Sequence, residues 1–132
     1  VIKAVIQGQP DTVTAQQKGV MVRGGRVMFY TKKRVQDAKD KLTAELRRHA
    51  PRKPVDWPVL VTIRFWFAPV KARPLEKTHG VRPDVDNLAK GVLDCLVPAG
   101  WLEDDALIDQ LIITKARSGD ARLEIELKDL LK

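Results

Sequence analysis

The residues best suited to chemistry in this chain are Asp84, Asp86, Asn87 and Lys90, followed at a distance by Glu103, Asp104 and Asp105. Asp84 and Asp86 stand two apart, so on extended backbone both carboxylates point the same way, whereas on a helix they diverge. Lys90 follows Asp86 by four residues and would share its face on a helix. Between residues 84 and 109 seven acids meet a single base, Lys90, although the 132-residue chain as a whole carries 24 Lys and Arg against 17 Asp and Glu. Clustered carboxylates repel one another unless a cation resolves the repulsion, and oxygen donors are what a hard divalent ion takes. An acidic focus in a basic body suits an enzyme that grips phosphates with its surface and holds magnesium with its carboxylates. Structural uses of the same residues stay open at this level. Asp84 could cap a helix, Asp86 could favour the positive end of its dipole, and Asp86–Lys90 could be a surface ion pair. Glu103–Asp105 could be a solvated turn.

The elements that must position these groups alternate along the chain. Val1–Gln7 is a β-branched run closed by Gly8-Gln9-Pro10. Residues 11–25, with three glycines and little apolar periodicity, read as a long loop, and Arg26–Tyr30 as a short strand. Thr31 is placed as the N-cap of a helix whose Val35, Ala38, Leu42 and Leu46 share one face, ended by Pro51 and Pro54. From Val59 to Phe67 every second residue is apolar, which predicts a strand with one wholly apolar face. Residues 69–83 are proline- and base-rich and read as a loop. A second helix is expected from near Asp84, with Val85, Leu88, Val92, Cys95 and Leu96 at helical spacing and Pro98-Ala99-Gly100 as its stop. Leu107–Lys115 is mostly apolar on both faces and is expected to be a central strand. After a turn at Ser118-Gly119-Asp120, Arg122–Lys128 alternates as a half-buried strand does. The fold class predicted is α/β (α+β): a single compact domain, 1–132, with a mixed four- to five-stranded sheet and two main helices. A helix after the first acids and a short turn before the next strand can return Asp104–Asp105 beside Asp84–Asp86, in one pocket.

Charge and composition narrow the partners. Residues 18–53 hold twelve bases against three acids, and Lys71, Arg73, Lys77, His79 and Arg82 form a second basic set just before the acids. Both sets favour contact with phosphates. One cysteine, Cys95, excludes an intrachain disulfide and a cysteine-based zinc site; its neighbours suggest a buried helix face. No apolar run approaches a membrane span and no signal-peptide pattern opens the sequence, so a cytoplasmic protein is expected. Trp57, Trp66 and Trp101 read as packing residues, as do Phe29 and Tyr30, and neither His49 nor His79 has metal-ligand spacing.

The pattern Arg82-Pro-Asp-x-Asp-Asn-Leu-x-Lys90, then Leu93-Asp94, Gly100-Trp101 and Asp104-Asp105, closely resembles the RusA family of Holliday-junction resolvases, small homodimeric endonucleases common in prophage-type gene sets. The likeness is tight over residues 82 to 117 and looser elsewhere. It implies that Asp84, Asp86 and Asp105 are the metal-binding catalytic acids and that Asp104 completes the acidic ring. Lys90 is then an essential base near the scissile phosphate, and Asn87 orients a carboxylate. It implies Mg2+ as cofactor, with Mn2+ as a substitute, and products bearing a 5′-phosphate and a 3′-hydroxyl. Branched DNA, chiefly four-way junctions, is the implied substrate in DNA recombination and repair. The basic segment Arg26 to Lys33 is similar to one preceding the first helix in this family, and with Arg34, Lys71, Arg73 and Arg82 supplies the expected DNA-binding residues. In one respect the chain departs from the pattern: residues 11–17 hold no base, where relatives often carry several. A non-catalytic basic nucleic-acid-binding module is the alternative, and the acidic focus is what separates the two.

Overall fold

The architecture is that of a computed structural model, which describes residues 1–11, 18–31, 33–80 and 83–130. Among these described residues, six strands and two main helices run in the order β1 (Ile2–Gln7), β2 (Lys18–Arg23), β3 (Arg26–Thr31), α1 (Lys33–Arg47), β4 (Val59–Phe67), α2 (Val85–Leu96), β5 (Ile108–Arg117) and β6 (Arg122–Asp129), with a 3-10 turn, Asp105–Leu107, leading into β5. Four of the strands form one sheet in the order β1-β6-β4-β5, and β2 and β3 form a separate hairpin. Within the four-stranded sheet β4 and β5 pair in parallel and the other described pairs are antiparallel. Parallel neighbours need a crossover long enough to carry the chain back, and α2 is that crossover.

The alternation in β4 decides where the core lies. Val59, Val61, Ile63, Phe65 and Phe67 are all buried, and register sets Ile63 beside Ile113 of β5 and Ile125 of β6, with Ala4 of β1 beyond. Leu88, Ala89, Val92, Cys95 and Leu96 of α2 and Leu46 of α1 close over this row, so both helices cover the same face of the sheet. The opposite face carries Arg64 between Glu124 and Glu126, each at 3.8 Å, and the Arg122 guanidinium 4.8 Å from the Trp66 ring centroid.

Trp101 locks the two helices together. It is fully buried, and its Nε1 donates at 2.8 Å to the Leu46 carbonyl, which also accepts from His49 N–H at 3.0 Å at the end of α1. Gly100 makes this geometry possible: its φ of +83° lets the chain reverse after α2, and Trp101 N–H then reaches the Leu96 carbonyl at 3.0 Å. Trp57 is also a packing residue, donating to Asp129 at 2.6 Å.

Three expectations need correction. Residues 18–23, read as loop, form β2, because Gly24 and Gly25, both at positive φ, make a two-residue hairpin turn that pairs them with β3. Thr31 is the last residue of β3 rather than the cap of α1. Strand β5, expected at the centre because it is apolar on both faces, is an edge strand that leaves Leu111 and Ile112 exposed. The single domain, the mixed four-stranded sheet, the two helices and the buried Cys95 are as expected. No helix among the described residues is long and apolar enough to cross a membrane.

Candidate active site

At the start of α2 the backbone switches from extended to helical between Asp84 and Val85. Asp84 occupies the N-cap position, with φ −67° and ψ 148°, and its carbonyl accepts from Leu88 N–H at 3.1 Å. An aspartate there ordinarily turns its carboxylate onto the N–H groups of the first turn. Here the side chain makes no such bond. Asp86 follows in the first turn and Lys90 one turn later, both exposed, and no ion pair joins them. Neither structural use of these side chains, cap or surface pair, is filled. Asn87 is half-buried and makes no side-chain hydrogen bond among the described residues.

Lys115 holds this helix start in place. Its Nζ donates to the Pro83 carbonyl at 2.9 Å, tying the residue before Asp84 to the C-terminal end of β5. The basic segment 68–80 is pinned to the same end of the sheet. Arg117 N–H bonds the Lys77 carbonyl at 2.8 Å, Thr78 bridges Ala116, and the buried His79 packs on Phe67 with ring centroids 4.4 Å apart. Lys71, Arg73 and Lys77 are exposed on it, Arg73 sharing its charge with Glu76 at 3.3 Å. His79 is thus a packing residue, and the segment that carries Lys71, Arg73 and Lys77 is held at the same end of the sheet as Pro83 and Asp84. Lys33 and Arg34 open α1 and are exposed. Lys32 and Arg82 lie outside the described residues, as do the side chains of Arg26, Phe29 and Tyr30.

Asp104 and Asp105 lie at the other end of β5. Asp104 accepts from Ala106 N–H at 2.8 Å through Oδ1 and so caps the short 3-10 turn, leaving its second oxygen for other work. Partial burial, and then the charges of Asp94 and Asp104, push the Asp105 carboxyl above its ordinary pKa. Asp94, on the last turns of α2, is itself held by Lys39 of α1 at 3.1 Å. Sequence reasoning gave Asp94 no role; its position eight residues after Asp86, two helical turns along one face, was the available signal. Lys39 was read only as one of the bases of residues 18–53, and Lys115 carried no sequence signal.

Within one chain the two acidic groups do not converge. α2 leaves the first end of the sheet and β5 starts at the other, so Asp84–Asp86 sit at one end and Asp104–Asp105 at the other, separated by roughly the length of the 12-residue α2, about 18 Å at 1.5 Å per residue. Among the described residues no group of three or more His, Cys, Asp or Glu side chains is close enough to hold a metal ion. The expectation that the turn after α2 returns the chain beside its starting point overlooked the crossover: a helix joining parallel strands delivers the chain to the opposite end of the sheet.

A basic α+β domain with unused carboxylates at the start of a crossover helix is of the type found in nucleases acting on DNA. The profile of the family described as Endodeoxyribonuclease RusA matches residues 9–128, and the chain belongs to that family. Over 119 residues, 89% of each chain, it is 27% identical to the crossover junction endodeoxyribonuclease rusA of Lactococcus phage r1t.

Proposed function

We propose that this protein is a divalent-cation-dependent endonuclease that resolves four-way DNA junctions as a homodimer, by paired symmetric nicks. The observation that carries the reading is the start of α2, where Asp84, Asp86 and Lys90 are exposed and the fold uses none of their side chains. The donor chemistry fits a hard cation: Asp84 and Asp86 supply one carboxylate pair, Asp104 and Asp105 another, and Asp105 already bears the cost of like charges that a cation would relieve. Such an ion, Mg2+ or Mn2+, supplies an acidified water and charge neutralisation at the phosphoryl oxygens. Lys90 adds a point charge against the charge that grows on the phosphate, and Asn87 orients a neighbouring carboxylate. Arg26, Lys32, Lys33 and Arg34, with Lys71, Arg73 and Arg82, hold the flanking phosphates, which fixes the position of the scissile bond without reading sequence.

Dimerisation follows from symmetry and from geometry. A four-way junction has two-fold related strands, and one chain brings one set of acids to only one of them. The two carboxylate pairs of a single chain stand at opposite ends of β5, and a two-fold axis across that strand sets the first pair of one copy beside the second pair of the other. The separation of the acids within one chain is also what a non-catalytic binding module would show. One assay distinguishes them: nicking of a synthetic four-way junction and of linear duplex, with and without Mg2+ or Mn2+. Metal-dependent paired cuts confined to the junction are expected; tight binding with no cuts under any divalent ion would leave the binding module.

A further inference from the structure

Asp84 is fixed from both sides while its carboxylate is left without a cap bond. The peptide after it is held because the Asp84 carbonyl accepts from Leu88 N–H at 3.1 Å. The peptide before it is held because the Pro83 carbonyl accepts from Lys115 Nζ at 2.9 Å. A proline ring restricts its own φ to about −65°, so ψ is the dihedral still free at Pro83, and the bond from Lys115 restrains it. Asp84 itself is extended, with φ −67° and ψ 148°.

A lysine is a costly residue for this corner. Register sets Lys115 beside Phe65, so its side chain leaves the sheet on the face that the helices cover, where it is half-buried. Ordering it there costs rotamer entropy, and drawing an ammonium out of water costs more unless an acceptor replaces the water. An apolar side chain would pack with neither cost. What the lysine adds is reach, across 32 residues of sequence, to one backbone carbonyl. The bond is charge-assisted, about twice as strong as a neutral one. Its two neighbours in β5 hold other chain: Ala116 bridges Thr78, while Arg117 donates through N–H to the Lys77 carbonyl at 2.8 Å and through Nη1 to the Ala68 carbonyl at 3.1 Å. Of these three residues, Lys115 is the one bonded next to a site acid.

We propose that Lys115 is a positioning residue for divalent-cation binding: by holding the Pro83 carbonyl it presents Asp84 to the ion in one backbone conformation. The inference rests on the cation-dependent nuclease reading above and adds a residue to it. A carboxylate whose backbone is already ordered binds an ion without first being fixed in place, and loss of such support ordinarily costs about 10–100-fold in metal affinity. Lys115 differs in kind from Lys90. It acts as a donor to the backbone rather than as a charge near the phosphate, so another long donor can replace it.

Titration with Mn2+ tests this through the midpoint of single-turnover junction nicking and, without DNA, through ion binding followed by loss of the free Mn2+ signal in electron paramagnetic resonance. Lys115→Met keeps the apolar stem and removes the donor, so both midpoints should rise about tenfold or more. Lys115→Arg is long enough to reach the same carbonyl and should return both to within about threefold of wild type. Junction affinity in chelator should not change, because no phosphate contact is removed. Arg117→Met is the control: it loosens the same end of β5 by losing the Ala68 carbonyl, leaves Pro83 alone, and should keep both midpoints near wild type. If Lys115→Met fails to fold, Lys115→Gln carries the same expectation, since its amide nitrogen stops one bond short. Unmoved midpoints in these variants, an equal rise in Arg117→Met, or no recovery in Lys115→Arg overturns the positioning role. A wild type that binds Mn2+ and cuts, matched by Lys115→Met, loses the role of Lys115 alone. A wild type that neither binds Mn2+ nor cuts loses the nuclease reading, and this inference with it.

Discussion

Replacing Lys90 with Ala separates a surface charge from a group that acts on the transition state. Lys90 is exposed on α2 and forms no ion pair, so the fold has nothing specific to lose and stability should change by no more than about 0.5 kcal/mol. Binding should fall modestly. If the ammonium contacts one phosphate of the bound junction, the slope of log affinity against log salt shrinks by about 0.9. The rate should fall much further, because a charge set against the developing phosphoryl charge is worth on the order of 10²-fold once removed. The assay is single-turnover cleavage of pre-bound junction, which isolates the chemical step from association. Lys41→Ala is the control, since Lys41 is an exposed base on α1 outside the motif. Lys90→Arg should not restore the rate, because a planar guanidinium cannot occupy the point an ammonium does. Equal single-turnover rates for Lys90→Ala and Lys41→Ala would return Lys90 to the ordinary surface.

Asp86→Asn, and separately Asp84→Asn, should abolish nicking while leaving junction binding intact or tighter, as like-charge repulsion with DNA falls; wild-type cutting by Asp86→Asn in a gel assay removes that carboxylate from the metal site. Trp101→Ala should cost about 3–5 kcal/mol in urea unfolding, since it opens a cavity at a fully buried position and removes the hydrogen bond to the Leu46 carbonyl that joins it to α1. Asp105→Asn should raise the melting temperature at neutral pH in the presence of chelator. The folded-state pKa of Asp105 lies above the unfolded one, through partial burial and then through Asp94 and Asp104. The ionised group therefore destabilises the fold above that pKa, and the difference between variant and wild type should close as pH falls below the unfolded carboxyl range. A wild type that is the more stable protein at neutral pH contradicts the repulsion.

Legibility in the sequence followed the strength of local pattern. Strands β4 and β6 alternate without a break, and α2 keeps helical spacing from Val85 to Leu96, so all three were readable to within a residue or two. The β2–β3 hairpin had a usable signal too, since Gly24-Gly25 between Val22 and Val27 is a two-residue turn flanked by apolar runs. Its glycines were taken as loop composition instead. Apolarity on both faces of β5 was read correctly but explained wrongly, because periodicity does not distinguish a strand buried between neighbours from an exposed edge strand. The motif residues at the candidate site were legible from spacing. Their distribution over two ends of the sheet was not, since it depends on β4 and β5 being parallel, a fact of pairing rather than of any local run.

The pairing of β1 with β6 also sets the order in which the domain can assemble. Ile2 lies opposite Leu127, so this contact closes nearly the whole chain into a loop. From β4 to β6, by contrast, every sheet contact joins segments within about seventy residues of one another. Loop-closure entropy rises with length and slows pairing between distant segments. On a ribosome, β1 emerges before the other strands of its sheet and waits until β6, its sheet partner among the described residues, has been made. Its even-numbered face, Ile2, Ala4 and Ile6, stays uncovered through most of synthesis. The β4–α2–β5–β6 unit can consolidate beforehand, and docking of β1 then acts as the last step, sealing the sheet edge opposite β5.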